Sequence, residues 1–143
     1  MLRQGKAKIA IAASDTHTPV SPENKLGTPQ TVVNAGGLSR SGIMAGLQAG
    51  KMYLTSEKEL TLLLTAHSGS ATAGIGEQLP TSPGKKVQVR LAVKGHPTGN
   101  IVTLVGDKGI IAIKKAVGSK TELTWDVTSA SSKYLRVELQ TPE

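Results

Sequence analysis

The sequence of 143 residues contains no cysteine and no phenylalanine, and its only aromatic residues are Tyr53, Trp125 and Tyr134. Without cysteine, disulfide bonds and thiolate metal sites are excluded, and the redox compartment of the protein cannot be inferred. With so few aromatic rings, the chain also has almost nothing on which a nucleic-acid base could stack.

Long apolar runs are absent as well. No run approaches the roughly 18 to 20 residues that a membrane-spanning helix requires, so we expect no such helix. Residues 1–6 lack the apolar centre of a secretory signal, and we expect any export signal to lie outside this chain. The apolar content of 38% lies in short bursts of Val, Leu and Ile, which indicates a soluble globular protein with a thin core and leaves its localisation open.

Positive charge is in excess but is not concentrated. Seventeen Lys and Arg stand against ten Asp and Glu, which gives a formal net charge of +7. The lysines occur singly or in pairs, and no basic run is present, so a nucleic-acid partner is disfavoured. We interpret these charges as a solubilising surface on strands and turns, which would also attract an anionic substrate.

The most informative stretch lies near the start of the chain, where five small or branched apolar residues precede Ser14-Asp15-Thr16-His17. The uninterrupted apolar run from Ile9 to Ala13 predicts a strand, Lys8 to Ala13, that is buried on both faces. Residues two apart on a strand project to the same side, so Asp15 and His17 are candidate metal ligands. Carboxylate oxygen and imidazole nitrogen both suit zinc, manganese or iron. Nothing upstream supplies neighbours for a buried strand, so we expect this chain to be the tail of a larger protein.

The next part of the chain predicts a loop, a short strand and a helix. Three prolines between Thr18 and Pro29 predict the loop, and Gln30 to Asn34 predicts the strand. Ser39 or Ser41 can cap a helix that ends near Gly50 and Lys51 and carries an apolar face of Ile43, Met44 and Leu47. The helix also contains Gly42 and Gly46, which lower its intrinsic stability, so packing must hold it and would allow a close approach to a sheet.

From about Leu60 onward the hydrophobic period becomes that of strands. We predict a loop over Ser68–Gly76 and a hairpin turn over Gly106–Gly109. Six or so antiparallel strands of regular spacing predict a β-sandwich of immunoglobulin-like size. The expected strands are Leu60–Ala66, Lys85–Lys94, Ile101–Val105, Ile110–Lys114, one containing Leu123, Trp125 and Val127, and one containing Leu135, Val137 and Leu139.

The order of these parts resembles the carboxyl-terminal end of the polymerase and histidinol phosphatase (PHP) superfamily of metal-dependent phosphoesterases. The residues that carry the likeness are Ser14-Asp15-Thr16-His17, then Gly27-Thr28-Pro29-Gln30-Thr31-Val32-Val33, then a helix that opens at Leu38-Ser39 and closes on Leu47-Gln48-Ala49-Gly50-Lys51-Met52-Tyr53-Leu54-Thr55. The β module, with its turn Ala73-Gly74-Ile75-Gly76-Glu77, is similar to the sandwich that is appended in one branch of these proteins. The predicted fold is thus mostly β, with a terminal βα unit of a PHP-type barrel in residues 1–56 and an accessory sandwich in residues 57–143.

The resemblance implies a distorted barrel that holds two or three divalent metal ions at its rim and hydrolyses phosphate esters. Asp15 and His17 match the last metal motif of the family, while its early His-x-His motif and its middle Glu and His ligands are missing here. The implied partners are the missing amino-terminal barrel portion and a small phosphate-ester substrate. The implied cofactor is zinc, manganese or iron in the full-length parent, and we expect this chain alone to be inactive. A homo-oligomer, formed through an unpaired barrel strand, is a further expectation.

Several alternatives accompany these predictions. Asp15 could simply cap a turn beside a surface His17, and the nearby Ser14 cannot complete a hydrogen-bonded triad with residues so close along the chain. The glycines of Gly69–Gly76 lack the Gly-Lys-Ser/Thr ending of a phosphate loop. We expect His67 and His96 at edge or turn positions, with His96 in a hairpin, and Trp125 in the sandwich core in preference to a sugar-stacking platform. The second functional hypothesis is a non-catalytic sandwich that acts as a binding or interaction module.

Overall fold

The computed structural model describes residues 9–17 and 26–141, and within them it contains nine β-strands and one α-helix. All the strand pairs are antiparallel, so the predicted mostly-β class is confirmed. None of the described residues forms a helix that is long and apolar enough to cross a membrane. The elements in chain order are β1 Gln30–Val33, α1 Arg40–Gln48, β2 Met52–Thr55, β3 Thr61–Ser68, β4 Ala71–Gly74, β5 Lys86–Lys94, β6 Ile101–Gly106, β7 Gly109–Lys115, β8 Lys120–Thr128 and β9 Leu135–Gln140.

Strands β3 to β9 form two sheets around one core, which is consistent with the predicted β-sandwich. One sheet has the order β4-β3-β5-β8 and the other the order β7-β6-β9. Strand β5 alternates as the sequence predicts, with buried apolar side chains between exposed polar ones. The buried core comprises Leu60, Val87, Val89, Leu91, Val93, Val102, Leu104, Ala116 and Trp125.

The prediction of a loop over Ser68–Gly76 is wrong. Strand β3 continues to Ser68, and after a turn at Gly69 and Ser70 the chain returns as β4 with Ser68 opposite Ala71. The glycine, serine and alanine residues there have low strand propensity, but main-chain pairing with β3 overrides it. The sandwich region therefore has seven strands in the described residues, where the sequence predicts six or so.

Helix α1 begins and packs as its sequence predicts. Ser39 is the N-cap, and its Oγ accepts a hydrogen bond of 3.1 Å from the Gly42 amide. Gly46 is the buried residue of the helix, and a Cβ added to it would lie 2.7 Å from Cγ1 of Val33 on β1. The small residue thus permits the close approach to the sheet. The predicted apolar face of the helix is less well covered than expected. Met44, which belongs to this face, is 47% exposed.

The prediction of a strand buried on both faces near the start of the chain is wrong. Lys8, its first residue, lies outside the described residues, and the structure assigns no strand to residues 9–17. Ile9 is 48% and Ile11 73% exposed, because no described strand pairs with this segment to bury its small apolar side chains. The segment contacts β1 instead, where the Thr31 hydroxyl donates to the Ala12 carbonyl (3.0 Å) and accepts from the Ala12 amide (2.8 Å).

The β1–α1–β2 unit, residues 26–55, contacts the sandwich at three points. The Tyr53 hydroxyl on β2 donates to the Leu60 carbonyl (2.8 Å), and its ring packs against the sandwich core. The Lys51 ammonium lies 2.7 Å from Oε1 of Glu77. The turn at Gly76 lies directly against the end of α1, because a Cβ there would be 2.6 Å from the carbonyl carbon of Gly50.

Candidate functional site

Asp15 and His17 lie in the segment of residues 9–17, and both side chains are exposed. Asp15 has a left-handed backbone conformation with φ of +48°, which is uncommon for a residue other than glycine. Because the segment is not a strand, the rule that alternate residues project to one side does not apply to this pair. The two side chains are available to a ligand, but their relative direction does not follow from strand geometry.

The described residues supply only part of a metal site. Within residues 9–17 and 26–141, no three His, Cys, Asp or Glu side chains are grouped closely enough to hold an ion. Asp15 and His17 therefore contribute at most two ligands, whereas a closed zinc site needs four. Their donor chemistry fits zinc, manganese or iron, and the remaining ligands would have to come from residues outside this set.

Thr31 is the residue that holds the Asp15 segment to the rest of the fold. Its hydroxyl makes both hydrogen bonds to Ala12, three residues before Asp15, and Thr31 itself is paired with Leu54 across β1 and β2. The antiparallel pair of β1 and β2 thus fixes the position of the segment at Ala12.

His67 and His96 are both committed to structural hydrogen bonds. His67 lies in β3, between β4 and β5, and its ring nitrogens lie 3.0 Å from Thr72 Oγ1 and 3.2 Å from Thr65 Oγ1. The prediction of an edge or turn position is therefore wrong for His67. His96 lies in the connection from β5 to β6, which passes from one sheet to the other and is not a hairpin.

The ring of His96 is 4% exposed and links two loops. Its Nδ1 is 2.9 Å from the Pro97 carbonyl and must donate to it, because a carbonyl oxygen only accepts. Its Nε2 is 3.2 Å from Oγ1 of Thr121, and that hydroxyl, which has one proton to donate, also lies 2.9 Å from the Val117 carbonyl. With both nitrogens engaged, His96 has no free position for a metal ion.

Trp125 is a core residue, as the sequence predicts. It is 5% exposed and packs between the sheets, so its ring is not a platform for a sugar. The Lys114 ammonium covers the ring at 5.3 Å from its centre and donates a hydrogen bond of 2.6 Å to the Thr124 carbonyl. Lys114 thus covers the gap between β7 and β8.

The sequence interpretation missed an apolar surface on β7. Ile110, Ile111 and Ile113 are 66%, 38% and 60% exposed. A shallow cavity of about 270 Å³ lies beside them and is lined by Gly99, Ile101, Ile113, Lys114 and Lys115. Three isoleucines within four residues break the alternation that a strand with one buried face shows, and this was the signal available in the sequence.

No family model, curated protein or solved structure matches this chain. The functional proposals below therefore rest on its own residues and on the motif resemblance described above.

Proposed function

We propose that this chain is the carboxyl-terminal part of a PHP-type metal-dependent phosphoesterase, in which Asp15 and His17 are two of the ligands of a divalent metal ion. The observation that carries the proposal is the exposed Asp-x-His segment, held to β1 through Thr31. The left-handed backbone of Asp15 adds support, because strained conformations of this kind cluster at functional sites. In this proposal the sandwich is an immunoglobulin-like accessory domain.

The chemistry follows from the two donor groups. When bound, a divalent ion in such a site lowers the pKa of its water and stabilises the charge on phosphoryl oxygens. The carboxylate of Asp15 supplies negative charge to the ion, and the imidazole of His17 supplies a neutral nitrogen ligand. The amino-terminal barrel portion would provide the other ligands and the pocket for a phosphate ester.

The exposed apolar side chains of the β1–α1–β2 unit favour a larger parent domain. Leu26 is 62%, Leu38 99% and Leu54 43% exposed, and Met44 adds to the same unit. A unit of this size cannot bury its own apolar face, so a neighbouring part of a barrel would provide cover for it.

Metal analysis of the full-length parent polypeptide tests the proposal. We expect Asp15→Asn and His17→Gln to lower the bound zinc, manganese or iron and the hydrolysis of p-nitrophenyl phosphate at least about tenfold, since each removes a metal ligand. Matched controls are Asp126→Asn and His67→Gln, which change the same residue types on the sandwich. Unchanged metal content and activity in both ligand variants would refute the proposal.

The second candidate function is a non-catalytic interaction module formed by the sandwich. The specific observation in its favour is the exposed isoleucine surface of β7, which has no role in a phosphoesterase site built around Asp15. Under this candidate, the Asp15 and His17 variants leave the function unchanged and substitutions on β7 weaken it.

A further inference from the structure

Strand β7 is an edge strand with an unusually apolar exposed surface. In the part of the chain that the structure describes, β7 pairs with β6 alone, so its other edge presents unpaired amide and carbonyl groups. Ile110, Ile111 and Ile113 are exposed along this strand, and the cavity beside Ile101 and Ile113 continues the apolar surface. The strand therefore offers both a hydrogen-bonding ladder and side-chain contacts to an added strand.

The other edge strands of the two sandwich sheets are protected in ways that β7 is not. Strand β4 has four residues and no large exposed apolar side chain. Strand β8 carries Glu122 and Asp126 on its exposed face, and β9 carries the ion pair of Arg136 and Glu138 at 2.6 Å. Short length and charged side chains are the usual protection of an edge against unwanted pairing. Among these edges, β7 is the one suited to binding.

The charge around β7 is positive. Lys108 lies in the turn before the strand, and Lys114 and Lys115 end it. The nearby acid, Asp107, accepts hydrogen bonds from the Ser132 hydroxyl (2.8 Å) and the Lys133 amide (3.3 Å). The Ser132 hydroxyl also accepts from the Asp107 amide (2.9 Å), so Asp107 is held at the turn. An added strand would meet lysines at both ends of the apolar surface.

A second copy of the chain suits this edge poorly. Antiparallel pairing of two β7 strands would bring Lys114 and Lys115 of one copy next to the turn that carries Lys108 of the other, and the same would occur at the opposite end. Like charges in neighbouring cross-strand positions are destabilising. The net charge of +7 on each chain adds repulsion between the copies.

We infer that β7 binds, by strand addition, an extended segment of a partner protein that has apolar residues in its centre and acidic residues at both ends. Its main chain would extend the β7-β6-β9 sheet, its apolar side chains would cover Ile110 and Ile113, and its carboxylates would pair with Lys108 and Lys115. The inference rests on the second candidate function, the interaction module, and names the chemistry of its partner.

A synthetic peptide tests this inference with the whole 143-residue chain. The probe is a fluorescent peptide as long as β7 with Val in its centre and Glu at both ends. The comparison peptides are one with Lys in place of Glu and one with the same Glu and Val residues in two blocks. We expect only the peptide with acidic ends to bind. On binding, amide hydrogen exchange should slow over residues 109–115 and remain unchanged in β4 and β9.

Two pairs of variants separate the apolar and the charged contributions. Ile113→Thr should weaken peptide binding about three- to tenfold. Leu63→Thr is the matched control and should not weaken it, because Leu63 lies on β3 and is as exposed (61%) as Ile113 (60%). Lys115→Glu should weaken it by a similar factor, whereas Lys58→Glu at an exposed turn should not. All four sites are exposed, so the fold should be retained, and circular dichroism checks this.

Three results would overturn the inference, and each would point to a different conclusion about β7. Binding of anionic phospholipid vesicles without binding of the peptide, or dimerisation that Ile113→Thr abolishes, would leave an interaction module with a different partner. Absence of any binding or self-association at β7 would remove the interaction module as well. Equal effects of Ile113→Thr and Leu63→Thr would show that the peptide does not use this edge.

Discussion

At His96 a single imidazole joins the loop after β5 to the loop before β8. Nδ1 donates to the Pro97 carbonyl, and Nε2 lies beside the Thr121 hydroxyl, which is also within hydrogen-bond distance of the Val117 carbonyl. Two backbone hydrogen bonds between Ala116 and the segment Gly99–Asn100 join the same loops. The ring is almost fully buried, so loss of either partner leaves a polar atom without water to replace it.

We predict that His96→Ala lowers the free energy of unfolding by about 1–3 kcal/mol, because it removes buried hydrogen bonds and the packing of the ring. Thr121→Val should also destabilise the fold, since Nε2 then loses its partner. Urea denaturation measures both effects. His67→Ala is the control, and we expect a smaller loss because His67 is more exposed and its partners Thr65 and Thr72 keep access to solvent. Equal losses at His96 and His67 would contradict the assigned role of the buried ring.

At the scale of the element, helix α1 depends on Gly46 for its contact with β1. A Cβ at this position would lie 2.7 Å from Val33 Cγ1 and 2.9 Å from the Asn34 carbonyl oxygen. In an exposed helix the change from glycine to alanine stabilises by about 1 kcal/mol. Here the backbone oxygen cannot move independently of β1, so the steric cost outweighs the gain in propensity.

We therefore predict that Gly46→Ala destabilises the β1–α1–β2 unit by about 1–3 kcal/mol. Faster amide hydrogen exchange in β1 and β2 reports the local effect, and urea denaturation reports the global one. Gly36→Ala, where a Cβ has no atom within 4 Å, is the control and should be close to neutral. A stabilising effect of Gly46→Ala would show that α1 can shift away from β1 at no cost.

Elements whose side chains alternate clearly were predictable from the sequence. Strand β5 is paired on both sides and has one buried face, so Val87, Val89, Leu91 and Val93 show the pattern directly. The Ser39 cap of α1 and the β6–β7 turn at Asp107 and Lys108 were predictable for a different reason. Their conformation is decided by the chemistry of neighbouring residues in the chain. Strand β4 was not, because its pairing with β3 is a tertiary effect that its small residues do not reveal.

The apolar run before Asp15 is a case in which the sequence pattern led to a wrong prediction of a buried strand. Composition distinguishes an apolar segment from a polar one, but it does not reveal whether a partner strand is present to bury it. By residue type, Asp15 and His17 could therefore be identified in the sequence only as candidate metal ligands. The number of ligands was not, because it depends on residues brought together by the tertiary fold or supplied from elsewhere.

At the scale of the whole molecule, Lys51 and Glu77 connect the β1–α1–β2 unit to the sandwich. Glu77 accepts from the Lys51 ammonium through Oε1 and from the Gly74 amide through Oε2 (2.8 Å). The hydrogen bond from Lys51, together with that from Gly74, lowers the pKa of the Glu77 carboxyl below its ordinary value of 4.5. A carboxyl whose pKa is lower in the folded state stabilises the fold above its unfolded pKa, and this contribution is lost as the pH falls through the folded pKa.

We predict that Glu77→Gln is less stable than the unmodified chain at neutral pH and that the difference shrinks as the pH falls below 4.5. The effect is small, since both side chains of the pair are more than 40% exposed and solvent screens their attraction. Urea denaturation across this pH range measures it, with high salt expected to reduce it further. Glu59→Gln, an exposed acid with no partner among the described side chains, serves as the control and should show no such trend. The opposite result would be a stability difference between Glu77→Gln and the unmodified chain that stays constant with pH. It would mean that the carboxylate charge of Glu77 does not hold the β1–α1–β2 unit to the sandwich. The contacts of Tyr53 and Gly76 would then be the connection between them.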